Sequence, residues 1–267
     1  MIPIKSAREI DKMRVACRLA GQVLDRVSAL VHPGITTGEV DKAAGEFMAE
    51  AQCKSAFLGY RGFPGNICIS VNEEVVHGIG GVRKIQYGDI VKLDIGVIKD
   101  GWVGDTATTV AVGVIDDAVQ RLLNVTEESL RIAISHATDG VRLGDISSSV
   151  EDEVVANGFS VVREFVGHGV GRRLHEEPQI PNFGKKGTGP RLKPGMTLAI
   201  EPMVNMGGSA VKILQDGWTV VTEDGKLAAH FEHTIAITDE GPRILTLRDT
   251  GEHHDVALYR PKEEVAA

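Results

Sequence analysis

From Ser6 onward, apolar side chains fall at Ile10, Met13, Cys17, Ala20, Leu24, Val27 and Val31. Steps of three and four residues put them on one face of a long helix, which Pro33-Gly34 stops. A second helix starts at a Thr37 cap and turns Val40, Ala44, Phe47 and Met48 inward; the segment after it, to Ser70, mixes glycines and aromatics in irregular order. Strand patterns then dominate to about Gly113. After Asp116 the order repeats: a helix carrying Leu122, Leu123, Val125, Leu130, Ile132 and Ile134, a second through Ile146, Val150 and Val154, then strands to Thr246. The stretch from Thr250 to Ala267 is polar and unpatterned and reads as a surface tail.

The repeat shows in the letters as well. GITTGEVD from Gly34 resembles GVRLGDIS from Gly140 at an offset of 106, and GDIVKLD from Gly88 resembles GMTLAIE from Gly195 at an offset of 107. This points to a duplicated half and puts Asp94 and Glu201 at equivalent strand positions. Asp105 in GDTATTVAV and Glu232 in FEHTIAI each lead into an alternating strand, so the carboxylates come two per half.

VKLDIGVIKDGWVGDTATTVAV alternates on both sides of Asp100-Gly101, a dipeptide suited to a two-residue hairpin turn. With those two residues as the loop, Lys99 faces Trp102, Gly96 faces Asp105 and Asp94 faces Ala107. Asp94 and Asp105 then share a face as diagonal neighbours, about 7–8 Å apart at the backbone and closer at the side chains. Gly96 is expected to leave room opposite Asp105. An odd-length loop would put the two aspartates on opposite faces.

Each carboxylate sits in apolar sequence: Leu93 and Ile95 flank Asp94, Ala199 and Ile200 precede Glu201, and Thr234, Ile235 and Ile237 follow Glu232. Burying an ionised carboxylate without a cationic partner is costly, and the partner is either a lysine or arginine for each, or a metal for the set. His168 in FVGHGVG stands between two glycines that permit close approach. One histidine with four carboxylates is an oxygen-rich set that suits manganese, iron or cobalt at least as well as zinc. Two divalent ions held this way could make water nucleophilic near neutral pH.

Composition narrows the classes. The 267 residues, 42% hydrophobic and 25% charged, are enough for one large core or two smaller ones. No run approaches the eighteen or so apolar residues of a membrane span, and MIPIKSAREIDKMR is charged too early for a signal peptide. Cys17, Cys53 and Cys68 are far apart and form no CxxC pair, which makes a reducing cytosol the default. A net charge of −8 disfavours DNA and leaves only local RNA contact. GHGVG is a poor dinucleotide loop, because Pro178 and Pro181 follow in place of a long helix.

Together, GYRGFPGNICISVNEEVVHGI, KLDIGVIKDGWVGDTATTVAVG, FVGHGVGRRLHEEPQIPNF, LAIEPMVN and DGWTVVTEDGKLAAHFEHTIAIT, in this order from about Ser6 to Thr246, resemble the type I methionine aminopeptidases. The resemblance implies an α/β (α+β) pita-bread fold: pseudo-two-fold duplicated halves, antiparallel sheet inside, helices outside. One catalytic domain is expected over residues 1–249, with halves at about 6–113 and 116–246. Asp94, Asp105, His168, Glu201 and Glu232 would bind two divalent ions, cobalt, manganese, iron or zinc, with Asp105 and Glu232 bridging. His77 and His175 would contact the scissile peptide group, His175 steadying its oxyanion, and Glu201 would also carry a proton from the attacking water to the leaving amine. Tyr60, Phe63, Cys68 and Trp218 would receive the methionine side chain. The implied partner is the N-terminal methionine of nascent polypeptides, met in the cytoplasm by a monomer in transient contact with the ribosome.

Three positions depart from the family pattern. Gly96 replaces a common hydroxyl residue, Leu174 a phenylalanine and His230 an amide residue, which bears on substrate range and metal tuning. The start at the first catalytic helix looks like the short bacterial type. Prolidases and aminopeptidases P share the five ligands but usually add an N-terminal domain, and a non-catalytic binding protein on this fold would lose ligands that are intact here.

Overall fold

Ser6 and Glu9 set the first helix. The Glu9 carboxylate accepts from the Ser6 amide at 3.0 Å and its hydroxyl at 2.9 Å, which ties the first turn back to the residue that caps it. Helix α1 (Ala7–Leu30) follows and buries Met13, Cys17, Leu24 and Val27 on one side. The computed structural model describes residues 1–247, so the tail expected at 250–267 lies outside the described residues.

Helix α2 (Thr37–Glu50) is capped by Thr36, not Thr37. Thr36 stands three residues before Glu39, and the two exchange bonds: Thr36 Oγ1 accepts from the Glu39 amide at 3.1 Å, and the Glu39 carboxylate accepts from the Thr36 amide at 2.9 Å. Thr37 instead turns to Gly81, whose amide donates to its hydroxyl at 2.9 Å. Phe47 is half-buried, with the Arg26 guanidinium 3.7 Å from its ring centre, and Ile132 is half-buried too.

The first half continues through strands β1 (Lys54–Ser55), β2 (Cys68–Val71), β3 (Glu74–Val76), β4 (Ile90–Lys99) and β5 (Trp102–Ala111). The second half repeats the order with helices α3 (Asp117–His136) and α4 (Leu143–Ala156). Its strands are β6 (Ser160–Val161), β7 (Gly167–Gly169), β8 (Glu176–Ile180), β9 (Thr197–Ile200), β10 (Met203–Asn205), β11 (Val211–Ile213), β12 (Val220–Thr222), β13 (Ala228–His230), β14 (Glu232–Thr238) and β15 (Gly241–Ile244). Matching backbone bonds recur in the two halves. Gly34 N–H donates to the Ile85 carbonyl as Gly140 does to Leu192, and Gly38 N–H to Gly81 as Gly144 does to Thr188. The bridges Thr36 to Lys84 and Arg142 to Arg191 match as well. Gly34 and Gly140 both hold positive φ, 96° and 82°, where a side chain would be strained.

The strands of the main sheet run β1-β4-β5-β14-β9-β7-β8, with β2 added to β4 and β15 to β14, and the halves meet where β5 pairs antiparallel with β14. Helix α1 lies behind β4 and β5, so close that a Cβ on Gly104 would stand 2.5 Å from the Cys17 Cα. One apolar core gathers under α1 and α2 around Leu93, Ile95 and Val97, and a second under α3 and α4 around Leu198, Ile200, Ile235 and Ile237. Helices outside a duplicated antiparallel sheet are the pita-bread arrangement. The β4–β5 hairpin has the expected turn, Asp100 and Gly101 at φ 51° and 73°, and the expected register. No helix among the described residues is long and apolar enough to cross a membrane.

Candidate active site

Sheet register brings the acidic residues together. Cys68, Asp94, Ala107 and Glu232 are successive partners in one row across β2, β4, β5 and β14. Asp105 lies two residues from Ala107 along β5 and so faces the same way. β9 ends at Ile200, opposite His233, and the next residue, Glu201, continues toward Glu232. His168 on β7 pairs with Ala199, two residues before Glu201. The glycines beside it are required by neighbouring backbone: a Cβ on Gly167 would come within 2.5 Å of the Ala199 carbonyl oxygen, and one on Gly169 would overlap that of Glu177.

These five side chains border a cavity of about 280 Å³, whose walls also include Tyr60, Phe63, Cys68, His77, His175 and Trp218. Asp105, His168 and Glu232 are 3%, 7% and 2% exposed, whereas Asp94 and Glu201 open partly onto the cavity. Burial is the main force raising the pKa of all four carboxyls, and mutual repulsion adds to it at Asp105, Glu201 and Glu232. At Asp94 a hydrogen bond from the Cys68 thiol acts in the opposite direction. Among the described residues no lysine or arginine forms an ion pair with any of the four.

A cation fits this set. Asp94 Oδ1, Asp105 Oδ1 and Glu232 Oε1 are buried without a hydrogen-bond partner. His168 Nδ1 lies 2.9 Å from the Gly169 carbonyl, which can only accept, so Nδ1 carries the proton and Nε2 is bare. That bare nitrogen is 3.6 Å from Asp105 Oδ2 and 3.5 Å from Glu201 Oε1. Such gaps are too long for hydrogen bonds and match the roughly 3–3.5 Å between donors that share an ion at about 2.1 Å. Single donor atoms of Asp105, His168 and Glu232 all lie within 4.8 Å of one another.

The other two histidines that line the cavity have different neighbours. The hydroxyl of Tyr60 and Nδ1 of His175 are 2.7 Å apart, and the His175 ring lies 4.3 Å from that of His168. The loop carrying His175 is tied to the N-terminal segment by Glu176, which accepts from the buried Lys5 ammonium at 2.6 Å and from the Arg172 amide at 2.9 Å. His77 holds φ 60°, and Gly78 after it passes so near β2 that a Cβ would overlap the Ile69 carbonyl oxygen. Burial, with a smaller contribution from His175, pushes the His77 imidazole down to about 4. An edge-to-face series links Phe63 to Trp218 at 5.1 Å, Trp218 to His77 at 6.4 Å and His77 to Phe165 at 5.3 Å.

Some of the surroundings were not evident in the sequence. Phe57, Val76, Phe165 and Met203 also line the cavity. Gly96 does not leave open room, because the Phe57 ring occupies it: a Cβ there would be 2.5 Å from that ring. Lys92, 1% exposed, donates to the carbonyls of Asn72 at 2.7 Å and Ala228 at 2.9 Å, and burial pushes its ammonium down to about 7. A lysine two residues before Asp94 in an otherwise apolar strand is the signal that could have found it.

The sequence profile of metallopeptidase family M24 matches residues 11–239. The methionine aminopeptidase of Clostridium perfringens is 51% identical over 247 residues, 92% of this chain and 99% of its own. The crystal structure of methionine aminopeptidase from Rickettsia prowazekii superposes with a TM-score of 0.91 at 40% identity, over 92% of this chain and 100% of that one. Prolidase from Pyrococcus furiosus shares the fold, with a TM-score of 0.75 at 22% identity over 92% of this chain and 66% of that one.

Proposed function

The chain belongs to metallopeptidase family M24, and on that premise we propose that it is a methionine aminopeptidase, cleaving the N-terminal methionine from polypeptides with a small second residue. The observation that carries this reading is the convergence of four lysine- and arginine-free carboxylates and one bare imidazole nitrogen in a cavity that also holds Phe63, Cys68 and Trp218.

Asp94, Asp105, His168, Glu201 and Glu232 would hold two divalent cations. Bound there, the ions supply Lewis acidity, which lowers the pKa of water and offsets negative charge growing on the substrate. Glu201, partly open to the cavity, takes a proton from the attacking water and passes it to the leaving amine. If Tyr60 donates to Nδ1 of His175, the proton of that ring sits on Nε2, where it can meet the scissile carbonyl as an oxyanion forms. His77 contacts the same peptide group. Phe63, Trp218, Cys68 and the ring of Tyr60 offer the soft surface a thioether prefers. The free N-terminal amine of the substrate would meet the cation site that these five residues form, which restricts cleavage to chain ends.

Cobalt, manganese, iron and zinc all suit these donors, and metal analysis of protein purified without added metal identifies the resident ion. The same reading has the protein act in the cytoplasm on nascent chains, as a monomer in transient contact with the ribosome, through one catalytic domain spanning residues 1–249.

Metal-loaded protein is expected to release methionine from Met-Gly and Met-Ala peptides and to be slow on Met-Leu. Chelation should abolish turnover and lower Tm by about 5–10 °C relative to protein with metal at a hundredfold excess over Kd. Equal rates on X-Pro peptides would point to a prolidase, and full activity after metal removal would overturn the mechanism.

A further inference from the structure

Glu201 is bracketed by two imidazoles: its Oε1 lies 3.5 Å from His168 Nε2 and its Oε2 lies 3.7 Å from His230 Nε2. The rings differ in what their remaining nitrogens do. His168 commits Nδ1–H to a carbonyl and is thereby set up as a cation ligand. His230 is 1% exposed, and neither of its ring nitrogens has a hydrogen-bond partner. Without an acceptor to fix an Nδ1–H tautomer, His230 lacks the arrangement that prepares a histidine to ligate. It nevertheless carries at least one N–H, and a buried donor left unpaired is costly.

The ring has little freedom to seek another partner. The His230 amide donates to Thr109 Oγ1 at 3.0 Å, that hydroxyl donates back to the His230 carbonyl at 2.7 Å, and His230 pairs with Met203 on β10. The Glu201 main chain is pinned as well, its carbonyl accepting from Asn182 Nδ2 at 2.9 Å. What stays adjustable is the terminal torsion of the Glu201 carboxylate, which is broad for glutamate, and a turn about it can shorten the 3.7 Å separation to a hydrogen bond.

Resting on the reading of Glu201 as ligand and proton carrier, we propose that His230 is its positioning residue: Nε2–H holds Oε2, so that Oε1 stays turned toward His168 and the cavity. Removing that donor lets the carboxylate rotate, which weakens its hold on a cation and misdirects its proton transfer without touching the methionine pocket.

The test compares wild type, His230→Leu and His230→Gln by Mn(II) calorimetry, thermal melting and steady-state hydrolysis of a Met-Ala-Ser peptide. The leucine variant should lose about 10- to 100-fold in kcat and about 10-fold in Mn(II) affinity. Its KM should stay within about twofold of wild type. Glutamine, which keeps an N–H donor, should restore most of both. Unchanged kcat and Mn(II) affinity in the leucine variant would overturn the proposal, as would equal losses in both variants or a loss confined to melting temperature. A wild type that releases no methionine would refute the aminopeptidase reading instead, and the calorimetric comparison would still decide the role of His230.

Discussion

The carboxylate floor and the aromatic wall border one cavity, yet they are held in place by different means. Asp94, Asp105 and Glu232 project from strands locked into a ladder, so moving one requires shifting a register shared by β4, β5 and β14. Tyr60 and Trp218 stand on short irregular segments. Tyr60 opens a 3₁₀ turn in which Arg61 holds φ 48°, and Trp218 follows Asp216, whose carboxylate accepts from the Trp218 amide at 2.8 Å and the Thr219 amide at 2.9 Å. On the proposed reading, long-range pairing sets the reacting groups, and local turns set the selective surface. The two should fail separately when mutated.

The largest effect is expected at the floor. Glu201→Ala should lower kcat by about 10²- to 10⁴-fold, since on the proposed function it removes a proton carrier as well as a ligand. If KM alone rises, the floor and the wall do not have separate roles. Trp218→Ala should be milder and of a different kind: kcat/KM for methionyl peptides falls by about 10- to 100-fold, while bound metal, read by elemental analysis, stays at the wild-type level. Metal loss in that variant would break the comparison from the other side. Cys68→Ala is the smallest and the most discriminating. Cys68 lines the pocket and is also the direct cross-strand partner of Asp94, so kcat and KM should both shift, each by about fivefold or less. A shift in KM alone would assign Cys68 to the wall.

Legibility in the sequence followed the range of the interaction. The β4–β5 hairpin could be read residue by residue, because Asp100-Gly101 specifies a two-residue turn and alternation then leaves one register. The duplication was legible from two short matches, and the backbone bonds repeat at the same offsets. Smaller features went astray where neighbours compete. Thr36 and Thr37 are equivalent as residue types, and only the distance to Glu39 selects Thr36 as cap. Gly96 reads in the sequence as room for Asp105, but a ring arriving from Phe57 fills that space. The sequence presents Tyr60 only as an aromatic surface, whereas its hydroxyl engages His175, a residue 115 positions away in the chain.

Alternation, turn chemistry and glycine spacing are local, so they determined the helices, the hairpin and the identity of groups able to bind metal. Family resemblance added their roles. Only the tertiary structure decided which atoms of those groups face one another. It alone showed that His168 presents a bare Nε2, that carboxylate oxygens lie buried without partners and that His230 sits against Glu201. Those facts depend on pairings among β5, β14, β9, β7, β10 and β13, whose residues are far apart in the chain, and the residue types alone do not specify how such strands meet.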